Sequence, residues 1–194
     1  MTLRVIGGEF RNRSLAAPKG TTTRPTLAIM RKAVFDICQG AIEEASFLDL
    51  FAGSGAMGIE ALSRGAAHAT FIESNRLAIA CIQANLKNLK IEDRADLLLS
   101  DVFVSLKKLA KQGKAFDVIY IDPPYALSTK SALLIELLSF LNTHKLLAPL
   151  ATLFIEEAAP EHLDIVAVEH LSLQHLNSRK FSQSVLHQFS HREP

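Results

Sequence analysis

Between residues 47 and 155, short apolar runs alternate with amphipathic stretches, and nothing else in the chain restricts its fold as tightly. The runs 47–51, 69–73, 95–99, 116–121 and 152–155 read as strands. Helical spacing fills the gaps from about Met57, then over 75–89, 102–111 and about 129–141. Strands that alternate with helices of this length form βαβ units, so the expected class is α/β, an open, mostly parallel sheet with helices on both faces. In such sheets ligands bind beyond the carboxyl ends of the strands. Two last strands, over roughly 163–175 and 180–189, have no helix between them and should close the sheet as an antiparallel hairpin. Before the alternation, residues 3–7 and 13–17 suggest a small β-hairpin, followed by a loop to Pro25 and a helix from Thr26 that ends near Gly40.

Composition narrows the class further. With 194 residues and 48% hydrophobic content the chain suits one domain with a full core, and it is too apolar for disorder. No apolar run approaches the roughly 18 residues of a membrane span, and Met1-Thr2-Leu3-Arg4 lacks a secretory core. Cys38 and Cys81 form no CxxC and read as reduced thiols, so a cytoplasmic location is expected. The net charge of +1 conceals a basic start: residues 1–35 carry seven Lys and Arg against Glu9 alone. That imbalance suggests a local contact with a polyanion, although a solvated arm would look the same.

Leu48-Asp49-Leu50-Phe51-Ala52-Gly53-Ser54-Gly55-Ala56-Met57-Gly58 runs from a buried strand through a glycine turn into a helix. It matches G-x-G-x-x-G, and Glu73 ends the next strand twenty positions after Gly53, where a carboxylate would bind ribose hydroxyls. A dinucleotide and S-adenosyl-L-methionine both satisfy this pattern. Asp49 favours the second, since a carboxylate beside the turn repels a pyrophosphate and attracts an ammonium. Asp101, after the third strand, is placed to accept an adenine amino group, or simply to cap the helix that follows.

The fourth strand delivers Asp122-Pro123-Pro124-Tyr125. Two prolines stiffen the chain and remove two amide donors, which leaves an edge of acceptors beside an aromatic plate. The edge suits a planar ring with an exocyclic amine: the Asp122 carboxylate and the Pro123 carbonyl take both N–H bonds while Tyr125 stacks. A plain proline turn is the alternative for the tetrad in isolation.

Taken together, these residues resemble a known family. Leu48–Gly58 resembles motif I of the class I S-adenosylmethionine-dependent methyltransferases, and the tetrad resembles motif IV of the subgroup that methylates nucleobase amines. Arg4-Val5-Ile6-Gly7-Gly8, Arg11-x-Arg13-x-Leu15, Arg24-Pro25-Thr26 and Arg31-x-x-Val34-Phe35 are similar to the small-subunit ribosomal RNA guanine-N2 methyltransferases of the RsmD type. The resemblance implies a Rossmann-like methyltransferase domain over 26–194 and a basic RNA-contacting arm over 1–25. It implies cofactor contacts at Asp49, Phe51, Gly53, Gly55, Glu73, Ser74, Asp101, Val102 and Asp122. Catalytic roles fall to Asp122, Pro123, Pro124 and Tyr125, and RNA contacts to Arg4, Arg11, Arg13, Arg24 and Arg31. The implied partner is 16S rRNA within a small-subunit particle, met by a monomer, with no membrane and no metal. The chain departs from the family pattern at Ile29, Lys32 and Ser182, the last where glycine is usual.

Rival readings are a DNA adenine-N6 or cytosine-N4 methyltransferase, a dinucleotide oxidoreductase and a non-catalytic ribosome-assembly factor. A protein-glutamine methyltransferase would usually carry Asn where Asp122 stands. His187 and His191 form an H-x-x-x-H, but in a strand they would lie about 13 Å apart, too far to share a metal. Lys107, Lys108, Lys111 and Lys114 read as a solvated helix face that an RNA could also meet.

Overall fold

The computed structural model describes residues 3–18, 25–124, 131–159 and 163–192. Its centre is a seven-stranded sheet in the order β3-β2-β1-β4-β5-β7-β6. The strands are β1 (Ser46–Leu50), β2 (His68–Glu73), β3 (Ala95–Leu99), β4 (Phe116–Ile121), β5 (Leu147–Ala158), β6 (Leu173–Phe181) and β7 (Ser184–His191). The first five run parallel, while β7 is antiparallel to β5 and β6 antiparallel to β7. Strand order reverses between β1 and β4, and the crevice at such a switch point is where open α/β sheets bind ligands.

Six α-helices are found among the described residues: α1 (Pro25–Ile37), α2 (Ala56–Ser63), α3 (Arg76–Leu89), α4 (Val102–Lys111), α5 (Ser131–Thr143) and α6 (Ile165–Glu169). Alternation along each strand sorts side chains into two cores. Phe47, Phe71, Val118, Tyr120 and Phe154 face α1, α2, α3 and the N-terminal segment. Leu48, Leu50, Ile119, Ile121 and Leu153 face α4, α5 and α6. Strands covered on both sides must be apolar throughout, which is why their sequence signal was so continuous. Among the described residues no helix is long and apolar enough to cross a membrane.

Three expectations need correction. The N-terminal hairpin is present but shorter than expected: an antiparallel bridge pairs Arg4 with Ser14, flanked by the Leu15 N–H on the Leu3 carbonyl and the Val5 N–H on the Arg13 carbonyl, while the next donors turn to α2. Ile6 and Gly7 donate to the Glu60 carboxylate, Glu9 to the Ser63 carbonyl and Phe10 to the Ser63 hydroxyl. The expected strand over 163–175 begins instead as helix α6, for which Asp164 is the N-cap and accepts from the Ala167 N–H. The strand pair follows it, over 173–181 and 184–191. The third correction concerns β5, which is twelve residues long rather than four and carries two acids, Glu156 and Glu157, inside the sheet.

Ser182 opens the two-residue turn between β6 and β7 with φ of 52°. A positive φ at the first central position of a hairpin turn favours glycine, which accounts for the family's usual residue there.

A candidate active site at the carboxyl edge of β1, β4 and β5

Phe51 leaves β1 with φ of 63°, an unusual conformation for a bulky residue, and so turns the chain into the glycine loop. Gly53 and Gly55 also have positive φ, 53° and 73°. A Cβ at Gly55 would lie 2.9 Å from Ile82, whereas at Gly53 its nearest neighbour would be the Phe51 carbonyl at 3.9 Å. The backbone at Gly53 is therefore open to a ligand, and that at Gly55 is pressed onto α3. The third glycine of the pattern has a packing duty: a Cβ at Gly58 would sit 2.3 Å from the buried Phe71 ring.

Two acids near the carboxyl ends of β1 and β2 hold this loop and the helix after it. The Gly58 N–H donates to Asp49 Oδ2 at 3.0 Å, so Asp49 ties β1 to the first turn of α2, which has no other side-chain cap. Glu73 accepts from the Gly53 N–H through one oxygen and from the Asn75 N–H through the other, both at 2.8 Å. Asp101 caps α4, accepting from Phe103 and Val104. The structural reading of Asp101 is thus correct as far as it goes, and a ligand would have to share that carboxylate.

A cavity of about 210 Å³ opens at the β1/β4 switch point. Asp49, Phe51, Gly53, Asp122, Tyr120 and Glu156 line it, and Leu3 and Ala17 of the N-terminal segment form part of its wall. Of the expected cofactor residues, Gly55, Glu73, Ser74, Asp101 and Val102 stand outside this cavity, along the same sheet edge towards β2 and β3. Pro123 is buried and Pro124 exposed, while Tyr125 and Arg24 lie outside the described residues.

Three carboxyl groups, Asp49, Asp122 and Glu156, line the cavity together with the Arg31 guanidinium. Burial pushes the Asp49 carboxyl up to about 8, opposed by the Gly58 N–H and reinforced by Glu73. Burial also holds Asp122 well above the usual carboxylate range, with further contributions from Glu156 and Asp49. In their ionised forms these groups repel a pyrophosphate and attract a cationic amino-acid tail. Below about pH 7.5, where the ligand's own amine stays protonated, each rise in pH converts more Asp49 to carboxylate. Affinity for S-adenosylmethionine is therefore expected to climb from pH 6 to 7.5, by up to tenfold per unit. Calorimetric titration checks this, and Asp49→Asn should flatten the profile.

Arg31 departs from its expected place. It is 5% exposed, and its Nε lies 3.6 Å from Glu60 Oε2 while an Nη donates to the Arg4 carbonyl at 2.7 Å. Buried in this way, Arg31 braces the N-terminal segment and lines the cavity rather than the outer surface. Arg4, Arg11 and Arg13 are exposed. Ala16 exchanges two hydrogen bonds with the Asn85 side chain, whose Nδ2 also reaches the Ser54 carbonyl of the glycine loop.

A family model described as conserved hypothetical protein 95 matches residues 3–190. Ribosomal RNA small subunit methyltransferase D of Escherichia coli K12 is 35% identical over 164 residues, covering 84% of this chain and 79% of that protein. The chain belongs to this family. YlbH of Bacillus subtilis, provisionally named an rRNA methyltransferase, is 40% identical over 132 residues, covering 68% of this chain and 72% of its own. Among solved structures, yhhF of Escherichia coli, provisionally named a methyltransferase, superposes with a TM-score of 0.82 at 29% identity, over the full length of both chains. Family membership agrees with the switch-point cavity, the glycine loop and the acids beside it. Glu156 is the one lining acid that the sequence reading missed. Its signal was a pair of acids ending an apolar run, which looked like the start of a loop.

Proposed function

We propose that the chain transfers a methyl group from S-adenosyl-L-methionine to the exocyclic N2 amine of a guanine in 16S ribosomal RNA. The observation that carries this reading is the carboxyl-lined cavity between the glycine loop and Asp122, roofed in part by a segment with a basic outer face. The acceptor is a small-subunit particle, and the enzyme meets it in the cytoplasm as a monomer. Residues 1–25 serve the RNA and 26–194 the transfer.

Asp49, Phe51, Gly53, Gly55, Glu73, Ser74, Asp101 and Val102 hold the donor, while Asp122 borders the reacting methyl group and serves the base. The first four receive its amino-acid part, Glu73 and Ser74 the ribose, and Asp101 with Val102 the adenine. When bound, S-adenosylmethionine supplies a methyl group on a sulfonium, whose displacement needs mainly alignment. The Asp122 carboxylate and the Pro123 carbonyl accept the two N2 hydrogens and so aim the nitrogen lone pair outward. Pro124 keeps that edge rigid and Tyr125 stacks on the base. Asp122 need not be a strong base, because the methylated amine is cationic and acidic and sheds its proton readily.

Arg4, Arg11, Arg13 and Arg24 contact the RNA backbone. Replacing Arg11 and Arg13 by Ala should weaken RNA binding and flatten its log-log salt dependence by about 0.7 to 0.9 per lost phosphate contact. An unchanged slope in filter binding over a salt series removes both from the interface. The function itself is tested by mass mapping of 16S RNA from cells lacking this protein. One N2-methylguanosine should be missing and should return with the wild-type gene; an unaltered map overturns the proposal.

A further inference from the structure

Glu156 lies at the carboxyl end of β5, whose ladder with β4 pairs Tyr120 with Phe154 and Ile121 with Ile155. The next step of that register sets Glu156 opposite Asp122, with both side chains lining the cavity. Glu156 is 5% exposed, and its Oε2 accepts from the Tyr120 hydroxyl at 2.6 Å. Tyr120 is itself buried, so the carboxylate is held in one orientation. Among the described residues no donor reaches Oε1. With one oxygen engaged and the other open to the cavity, this carboxylate offers a fixed acceptor to a ligand that brings a donor.

The nature of that donor follows from the three bases that carry an exocyclic amine. Beside its amine, guanine presents the N1–H, a donor, whereas adenine presents N1 and cytosine N3, both acceptors. A second carboxylate next to Asp122 therefore matches guanine and sets lone pair against lone pair with the other two. The geometry points to Glu156 as the specificity-determining residue, its Oε1 accepting the guanine N1–H while Asp122 receives the N2 amine. Tyr120 is a positioning residue that fixes the acceptor oxygen. This inference rests on the proposed guanine-N2 activity and adds the reason why that base, among the amino-bearing ones, is chosen.

Exchange of acceptor for donor tests it. In E156Q the amide oxygen keeps the Tyr120 hydrogen bond, which turns the amide N–H towards the base. That variant should favour 2-aminopurine, which retains the amine of guanine but has an acceptor at N1. The substrate is 16S RNA, reconstituted into the small-subunit particle, with guanine or 2-aminopurine ligated at the position found by mass mapping. Wild type is expected to prefer guanine at least about 100-fold in kcat/KM, since sites built to bond a substrate N–H reject analogues without it strongly. E156Q should bring the two within about tenfold or reverse them, with affinity for S-adenosylhomocysteine unchanged. If E156Q turns over neither particle, equilibrium binding of both in the presence of S-adenosylhomocysteine reads the same preference. A wild-type preference retained by E156Q, in rates or in binding, overturns the role of Glu156. A wild-type enzyme that methylates no guanine, or instead yields methylated adenine or cytosine, overturns the underlying activity.

Discussion

Asp122→Ala should lower kcat/KM for methyl transfer by about 10³-fold or more while leaving S-adenosylhomocysteine affinity within a few-fold. The side chain lines the cavity at the end of β4, where its carboxylate is placed to orient the amine and receive its proton. Loss of one oriented polar group that acts in the transition state costs about 10² to 10³ in rate, and loss of the proton acceptor adds to it. Steady-state kinetics on the particle and calorimetry with S-adenosylhomocysteine separate the two effects. A comparable fall in both would mean that Asp122 serves the donor rather than the base.

Glu60→Ala is expected to destabilise the protein by about 3–5 kcal/mol, the usual cost of removing one partner from a buried ion pair. Glu60 is fully buried on α2. It accepts from the Ile6 and Gly7 N–H groups and from Arg64 Nε, each at 2.8 Å, and it lies beside the buried Arg31. Its loss strands a guanidinium whose charge burial already disfavours. Urea denaturation gives the magnitude, and amide exchange at Ile6 and Gly7 should show the N-terminal segment released first. A change under 1 kcal/mol would mean that water replaces the carboxylate and that the segment is anchored elsewhere.

Local pattern was enough for strands β1 to β4 and helices α3 and α4, each within about a residue of its expected bounds. Buried parallel strands write themselves as apolar runs, and the caps Asn75 and Asp101 mark the helices that follow. What failed depended on partners distant in sequence. Val166 and Val168 looked like strand residues, and only the Asp164 cap makes a helix of them. Arg31 reads as one more exposed cation until Glu60, 29 positions later, buries it. Glu156 gains meaning only when the β4–β5 register sets it across from Asp122. The glycine loop and the tetrad were legible because each is contiguous; the pocket that they share with β5 is not.

Asp49, Glu73 and Asp101, along one edge of the sheet, carry part of the architecture. Asp49 anchors the start of α2, Glu73 staples the loop to β2, and Asp101 caps α4. With these residues holding the donor as proposed, substitutions that erode its binding would register as a lower melting temperature before any assay of turnover was run. A lineage that stopped using the donor could not shed these residues freely, so descent into an inert scaffold is obstructed by the fold itself.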